Sequence, residues 1–352
     1  ESALAADRIS EALRPPFVID GHEIFVTASI GIVVSAQHYD GPEEMLRDAD
    51  TAMYRAKSLG KARHEMFDAA MHARAIDDLR LEMDLRRALP QNELVMFYQP
   101  IVALDTGALL GFEALIRWRH PERGIVSPAE FIPVAEESHL ILPIGSWVLR
   151  EVCRQIEQWQ RHFPEAGSLT VSANLSGRQC VMPGLTREVQ QIIDETGCNP
   201  RALKLEITES AVMADVDHAI ARINELRELG VEASLDDFGT GYSSLSYLHR
   251  FAVTSIKIDR SFVTGMSERR ENLEIVRTIV VLARTLGLAA IAEGIETEAQ
   301  LTQLRGLRCD RGQGYLFSKP VPADVATEMI ATGRRFLGTT EREREPEPVL
   351  LR

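Results

Sequence analysis

The sequence is poor in cysteine: four in 352 residues, Cys153, Cys180, Cys198 and Cys309, with no Cys-x-x-Cys or Cys-x-x-His pairing. That spacing offers no zinc motif and points to reduced thiols in a cytoplasmic compartment. No apolar run approaches the roughly 18 residues that span a bilayer, and no secretory signal is present. The chain begins at Glu1, inside what reads as a domain, so inner-membrane anchors in a longer parent stay open. Basic residues are outnumbered, giving a net charge of −13. Such a field repels a phosphate backbone and argues against a DNA-coating protein. A small phosphorylated ligand is still compatible, because a bound metal reverses the sign of the field locally. A composition of 45% hydrophobic and 26% charged residues is ordinary for a globular chain.

The pattern along the chain divides it into four parts. Residues 1–68 alternate helix and strand: SALAADRISEAL is an amphipathic helix, HEIFVTASIGIVV a strand, PEEMLRDADTAMYRAKSLG a helix ended by Gly60, and ARHEMFD a short strand. Residues 69–90 are a connecting helix, with Ile76, Leu79, Met83, Leu85 and Leu89 near helical spacing and Pro90 as its stop. Residues 91–330 carry eight strand-like runs at 94–104, 108–118, 169–176, 202–209, 231–239, 255–262, 288–296 and 312–320. The first two sit close enough for a hairpin, and helical segments separate most of the rest. This rhythm predicts an α/β (β/α)8 barrel. A doubly wound sheet is the alternative, but no Gly-x-Gly-x-x-Gly turn for a dinucleotide occurs. Residues 331–352 end in a charged, proline-containing tail with no core pattern.

Polar residues recur where these runs end. Glu113, Asn174, Glu206 with Glu209, Asp236 with Asp237, Lys257 with Asp259, Glu293 with Glu296, and Gln313 all stand there. In a barrel those ends share one mouth. Each has a plain structural explanation taken singly: a salt-bridge Glu, a turn-forming Asn174, Lys257 paired with Asp259, Thr297 capping a helix. Repetition at successive ends favours a common metal-binding mouth. His120, His139, His218 and His249 are placed in loops or helices away from it. A set of carboxylates and an amide favours a hard cation, Mg2+ or Mn2+, and its size favours two ions. Asp236 can bridge them while Asp237 serves the second; such a pair activates water and neutralises phosphoryl charge. Lys257 would hold the water and offset developing negative charge. Side-chain alternation alone leaves open which face of LKLEITE points inward.

Together these residues resemble the EAL domain, a bacterial cyclic di-GMP phosphodiesterase family. The signature reads Glu113-Ala114-Leu115 within FEALIRW. It is accompanied by YQPIV, SPAEFIPVAE, VSANLS, LEITES, DDFGTGYSSLSYL, SIKIDRSFV, AEGIE and DRGQGYLFSKP, covering roughly 91–330. The resemblance implies a modified TIM barrel whose first strand runs antiparallel to the others. It implies one divalent cation on Glu113, Asn174, Glu206 and Asp236, and another on Asp236, Asp237 and Glu293. Lys257 would stand beside the nucleophilic water, with Gln313 on the same side. Glu209 would tether the DDFGTG loop, a homodimer contact in such proteins. Gln99 and Arg117 resemble substrate contacts on a guanine base and a phosphate. The implied activity is hydrolysis of cyclic di-GMP to linear 5′-pGpG; a catalytically inactive receptor that relays binding to a partner is the alternative. On the residues alone, a metallohydrolase acting on another phosphodiester fits equally. Residues 1–68 resemble the C-terminal part of a GGDEF diguanylate cyclase domain through VTASIGI and LRDADTAMYRAKSLGKARHEMFD. The GG(D/E)EF hairpin is not in this chain, so synthesis of cyclic di-GMP by it is not expected.

Overall fold

The computed structural model describes residues 2–19, 22–34, 39, 41–58, 60–240, 248 and 250–337. Two units emerge, Glu1–Arg86 and Arg87–Arg352. In the first, helix Pro42–Ser58 packs on a parallel pair formed by Ile30–Ile32 and His64–Met66. The packing is close because Gly31 has no side chain: a Cβ there would lie 2.0 Å from the Ala49 carbonyl oxygen. The stretch expected as one strand, HEIFVTASIGIVV, is instead two. His22–Ile24 pairs with Phe17–Ile19, while Ile30–Ile32 joins the other sheet. Because its ends take different partners, it cannot run as one ladder. Helix Ala69–Ala88 follows, burying Met71, Leu81, Leu85 and Ala88.

The second unit is the barrel. Its strands are β1 (Leu94–Ala103), β2 (Leu109–His120), β3 (Thr170–Leu175), β4 (Leu203–Thr208), β5 (Glu232–Phe238), β6 (Ser255–Ile258), β7 (Ala289–Ala292) and β8 (Arg311–Gly312). From β2 to β8 they pair in parallel in sequence order. β1 closes the ring antiparallel to both β2 and β8, as expected for the first strand. The orientation of β1 and β2 follows from their aromatic residues. Tyr98 and Phe112 pack against Trp159 of helix Ile141–His162, with ring centroids 5.0 and 5.1 Å away. By strand alternation their neighbours Gln99 and Glu113, themselves cross-strand partners, face inward.

Two expectations are corrected. The eighth strand does not run over 312–320. It stops at Gly312, because the Gly314 carbonyl accepts from both the Phe317 and Ser318 amides and turns the chain. Pairing with β1 resumes only at Val321–Pro322. Nor is His120 in a loop or helix: it is the buried last residue of β2, which runs on to pair with Gly124–Val126. Its Nδ1 accepts from the Glu122 and Arg123 amides and shapes that turn. His249 and residues 241–247 lie outside the described residues, so of the DDFGTG loop, 236–241, where the homodimer contact was expected, 236–240 are described. The four cysteines are free and buried, and no helix among the described residues is long and apolar enough to cross a membrane.

Candidate active site

Lys257 lies inside the barrel on β6 with only 1% of its surface exposed. An isolated buried ammonium is strongly disfavoured, and four carboxylates from four strands or strand ends meet it. Its Nζ lies 2.5 Å from Glu206, 2.6 Å from Glu293, 3.2 Å from Asp236 and 3.5 Å from Glu113. Glu206 and Lys204 thus occupy the inward side of β4. Two amides complete the floor. Gln313 donates to Glu113 at 2.5 Å and to Glu293 at 3.3 Å, and Asn174 donates to Glu113 at 2.9 Å.

Asp236 and Asp237 are adjacent, yet both reach this site. A regular strand would send them to opposite faces. Here the pairing of β5 with β6 shifts register between Leu235 and Phe238, and Asp237 takes a left-handed φ of 52°. Asp is among the few residues that tolerate that conformation. The Asp237 amide donates to Asp236 Oδ1 at 2.9 Å, fixing the turn. Oxygen atoms of Asp236, Asp237 and Glu293 all lie within 4.8 Å of one another. Beyond the turn, Glu209 accepts from the Gly239 amide at 2.9 Å, joining the end of β4 to that of β5. Asp259 does not pair with Lys257; it caps helix Arg260–Gly265.

The charges are out of balance, and the protonation equilibria show it. Burial pushes Glu206 well above the usual carboxylate range, with Glu113 and Asp236 adding to it against Lys257. Burial, together with Asp236 and Glu113, raises Glu293 to about 8. Burial and the neighbouring Asp236 raise Asp237 to about 6. Burial also disfavours ionised Glu113, but Lys257, Gln313 and Asn174 outweigh it and hold the group below its ordinary value. Lys257 stays charged: burial opposes it, while Glu113, Glu206, Glu293 and Asp236 raise it well above 10.5.

Glu206 Oε1 and Gln313 Oε1 are buried without a hydrogen-bond partner. Unpartnered buried oxygens, surplus negative charge and an all-oxygen donor set fit divalent cations better than Lys257 alone. Gln99 and Arg117 stand apart from this cluster. Gln99 donates to the Ser318 carbonyl at 3.1 Å; Arg117 donates to the Ile116 carbonyl and lies 5.8 Å over the Phe97 ring. Sequence reasoning missed Ser318, since a backbone carbonyl leaves no residue-type signal. It also gave no role to Tyr315 and Lys319, whose ammonium lies 5.4 Å from the centre of the Tyr315 ring.

The EAL domain pattern matches residues 82–320 and that of the diguanylate cyclase, GGDEF domain, residues 1–63. The chain is 39% identical over 333 residues to the bifunctional diguanylate cyclase/cyclic di-GMP phosphodiesterase MucR of Pseudomonas aeruginosa, covering 94% of this chain and 48% of that protein. It is 38% identical over 325 residues to the cyclic di-GMP phosphodiesterase PdeR of Escherichia coli, covering 92% of this chain and 49% of that protein. It therefore spans about half the length of these relatives. Among solved structures, the PaMucR phosphodiesterase in complex with c-di-GMP superposes with a TM-score of 0.68 at 42% identity. That match covers 70% of this chain and 99% of the other.

Proposed function

The chain belongs to the EAL domain family, and from that premise we propose that its barrel hydrolyses one phosphodiester bond of cyclic di-GMP to give linear 5′-pGpG. The observation that carries this reading is the convergence of Glu113, Glu206, Asp236 and Glu293 on one buried lysine. No position of the expected ligand set is replaced by a residue unable to bind a cation, which favours an enzyme over a receptor that only relays binding. Relatives named as cyclic di-GMP phosphodiesterases supply the substrate.

Glu113, Asn174, Glu206 and Asp236 would hold one Mg2+ or Mn2+, and Asp236, Asp237 and Glu293 the other. Such ions supply a nucleophilic water at neutral pH and charge neutralisation at the phosphoryl group. The chain's own residues do the rest. Lys257 orients the attacking water through its ammonium and offsets negative charge as the phosphorus passes through its five-coordinate transition state. Gln313, anchored on Glu113 and Glu293, fixes the orientation of both carboxylates. Water adds in line as the bond from phosphorus to the 3′ oxygen breaks; the 3′ oxygen leaves with a proton, and the phosphate stays on the 5′ side. Gln99 and Arg117 would bind guanine and phosphate beyond the floor. Glu209 holds the β5 turn through Gly239.

Purified chain incubated with cyclic di-GMP and Mg2+ or Mn2+ should release pGpG, and a chelator should stop it. Glu113→Ala should stay folded and lose turnover. Folded, metal-supplied wild type that yields no pGpG while still binding cyclic di-GMP would establish the receptor instead.

A further inference from the structure

Two of the four cysteines meet outside the active site. Cys153 lies midway along helix Ile141–His162, and Cys198 follows Gly197, which ends helix Leu185–Thr196. These helices pack together, and two contacts set their register. Ser146 donates to Glu188 and, one turn on, Arg150 donates to Glu195. The next turn of the first helix brings Cys153 to the end of the second, where its thiol and that of Cys198 are hydrogen-bonded. Both residues are buried.

The pair is asymmetric. The hydrogen bond from Cys198 lowers the Cys153 thiol against the effect of burial, with help from the Arg150 guanidinium, while the same bond and burial push Cys198 up. Nucleophilic attack by sulfur proceeds through the thiolate, which Cys153 is therefore the one to supply. Cys198 is the one placed to shift, because it stands between the cap Gly197 and Asn199, which caps the turn Pro200–Ala202, outside either helical ladder. The other two thiols have different surroundings. Burial pushes both Cys180 and Cys309 up, and Cys309 donates to the Ala290 and Arg311 carbonyls.

We propose that Cys153 and Cys198 close into a reversible disulfide when the folded protein meets a peroxide. The Cys153 thiolate attacks one peroxide oxygen and breaks the O–O bond, giving a sulfenic acid, and the proton Cys153 released joins the departing hydroxide as water. The Cys198 sulfur then displaces a second water from the sulfenic acid. Two thiols and one hydrogen peroxide thus become one disulfide and two waters. Opening of the last turn before Gly197 admits so small an oxidant. Exchange with a dithiol returns both cysteines to thiols, so in a reducing compartment the bond is transient.

The test treats the folded, fully reduced chain with hydrogen peroxide, removes the oxidant and counts free thiols in denaturant. Wild type should fall from four thiols to two, and dithiothreitol should restore all four. Peptide mapping should place the bond between Cys153 and Cys198. The oxidised form should melt about 5–10 °C higher, because the bond closes a long loop in the unfolded chain. Cys198→Ser should form no intramolecular disulfide. Four thiols after oxidation, a bond mapped to Cys180 or Cys309, or a loss that dithiothreitol leaves in place overturns the inference. A bond that forms only when the oxidant is added in urea does the same.

Discussion

Replacing Lys257 by Met keeps most of the side-chain volume and removes one charge. In the absence of cations that charge is the counter-ion for Glu113, Glu206, Asp236 and Glu293. Removing one partner from a buried ion pair typically costs about 3–5 kcal/mol, because the other charge is left uncompensated. Glu206 and Glu293 can escape part of this by taking up protons, since burial already pushes both upward. The loss should therefore be smaller at pH 6 than at pH 8. For a unit of this size, about 4 kcal/mol lowers the melting temperature by roughly 10 °C. Divalent cations in the same carboxylate cage replace the missing charge, so saturating Mg2+ or Mn2+ should recover most of the stability. Hydrolysis should not recover, because no other described ammonium reaches these carboxylates. Melting curves of wild type and variant, with chelator and with metal at both pH values, decide the matter. Equal melting in chelator at pH 8, or a loss that metal leaves untouched, would refute a charge-balance role for Lys257.

Three further outcomes follow from the same geometry. Glu293 near 8 and Asp237 near 6 bind protons in the fold that the unfolded chain has released above about 4.5. The metal-free protein should therefore lose about 2 kcal/mol of stability between pH 6 and pH 8, and cation binding at pH 7 should release protons, seen calorimetrically as a buffer-dependent heat; stability that rises with pH over that window would contradict the assignment. Glu209→Ala leaves the Gly239 amide without its carboxylate acceptor and should cost about 1.5–3 kcal/mol. It should also cut turnover at least about tenfold by loosening the β5 turn, read by urea titration and initial rates. Asp237→Gly relieves a positive φ and a like-charge contact, so it should stabilise the chelated protein by about 1 kcal/mol while weakening metal binding and hydrolysis; a destabilised variant that keeps full activity would count against the strained-ligand account.

Much of the barrel was legible because its signals are local. Apolar strand runs, amphipathic helices and the close pair at 94–118 each report their own conformation, and their order implies the closed ring. The floor was legible as a recurrence of carboxylates at strand ends, but the inward face of β4 was not. Lys204 and Glu206 share a side with Thr208, and only the neighbouring strands show that this side meets Lys257. The eighth strand was misplaced for a related reason. GYLF has strand-like composition, yet two amides folding back on the Gly314 carbonyl outcompete an extended ladder. His120 was misjudged because β2 outruns the barrel, and the partner that extends it, Gly124–Val126, carries little pattern of its own.

The pair Asp236-Asp237 shows where such reading ends and why. Strict alternation allows a strand only one inward carboxylate per two residues, so adjacent ligands require a break in the strand. The break has three contributors: a register shift against β6, a left-handed Asp237, and a Glu209 contact to the Gly239 amide that holds the exit from the turn. Gly239 itself has a φ of 98°, which a side chain would strain. In sequence these appear as a Glu and an Asp-Asp-Phe-Gly string separated by two helices, Glu209–Ala214 and Val216–Glu228, with nothing local to join them. Their coupling exists only once β4 and β5 lie side by side, so the chemistry at the mouth depends on a tertiary contact more than on any single motif. Strain at Asp237 and repulsion from Asp236 persist because the surrounding hydrogen bonds fix the turn. The arrangement costs stability in the metal-free protein and places two carboxylates where protons at low pH, or cations at neutral pH, relieve their repulsion.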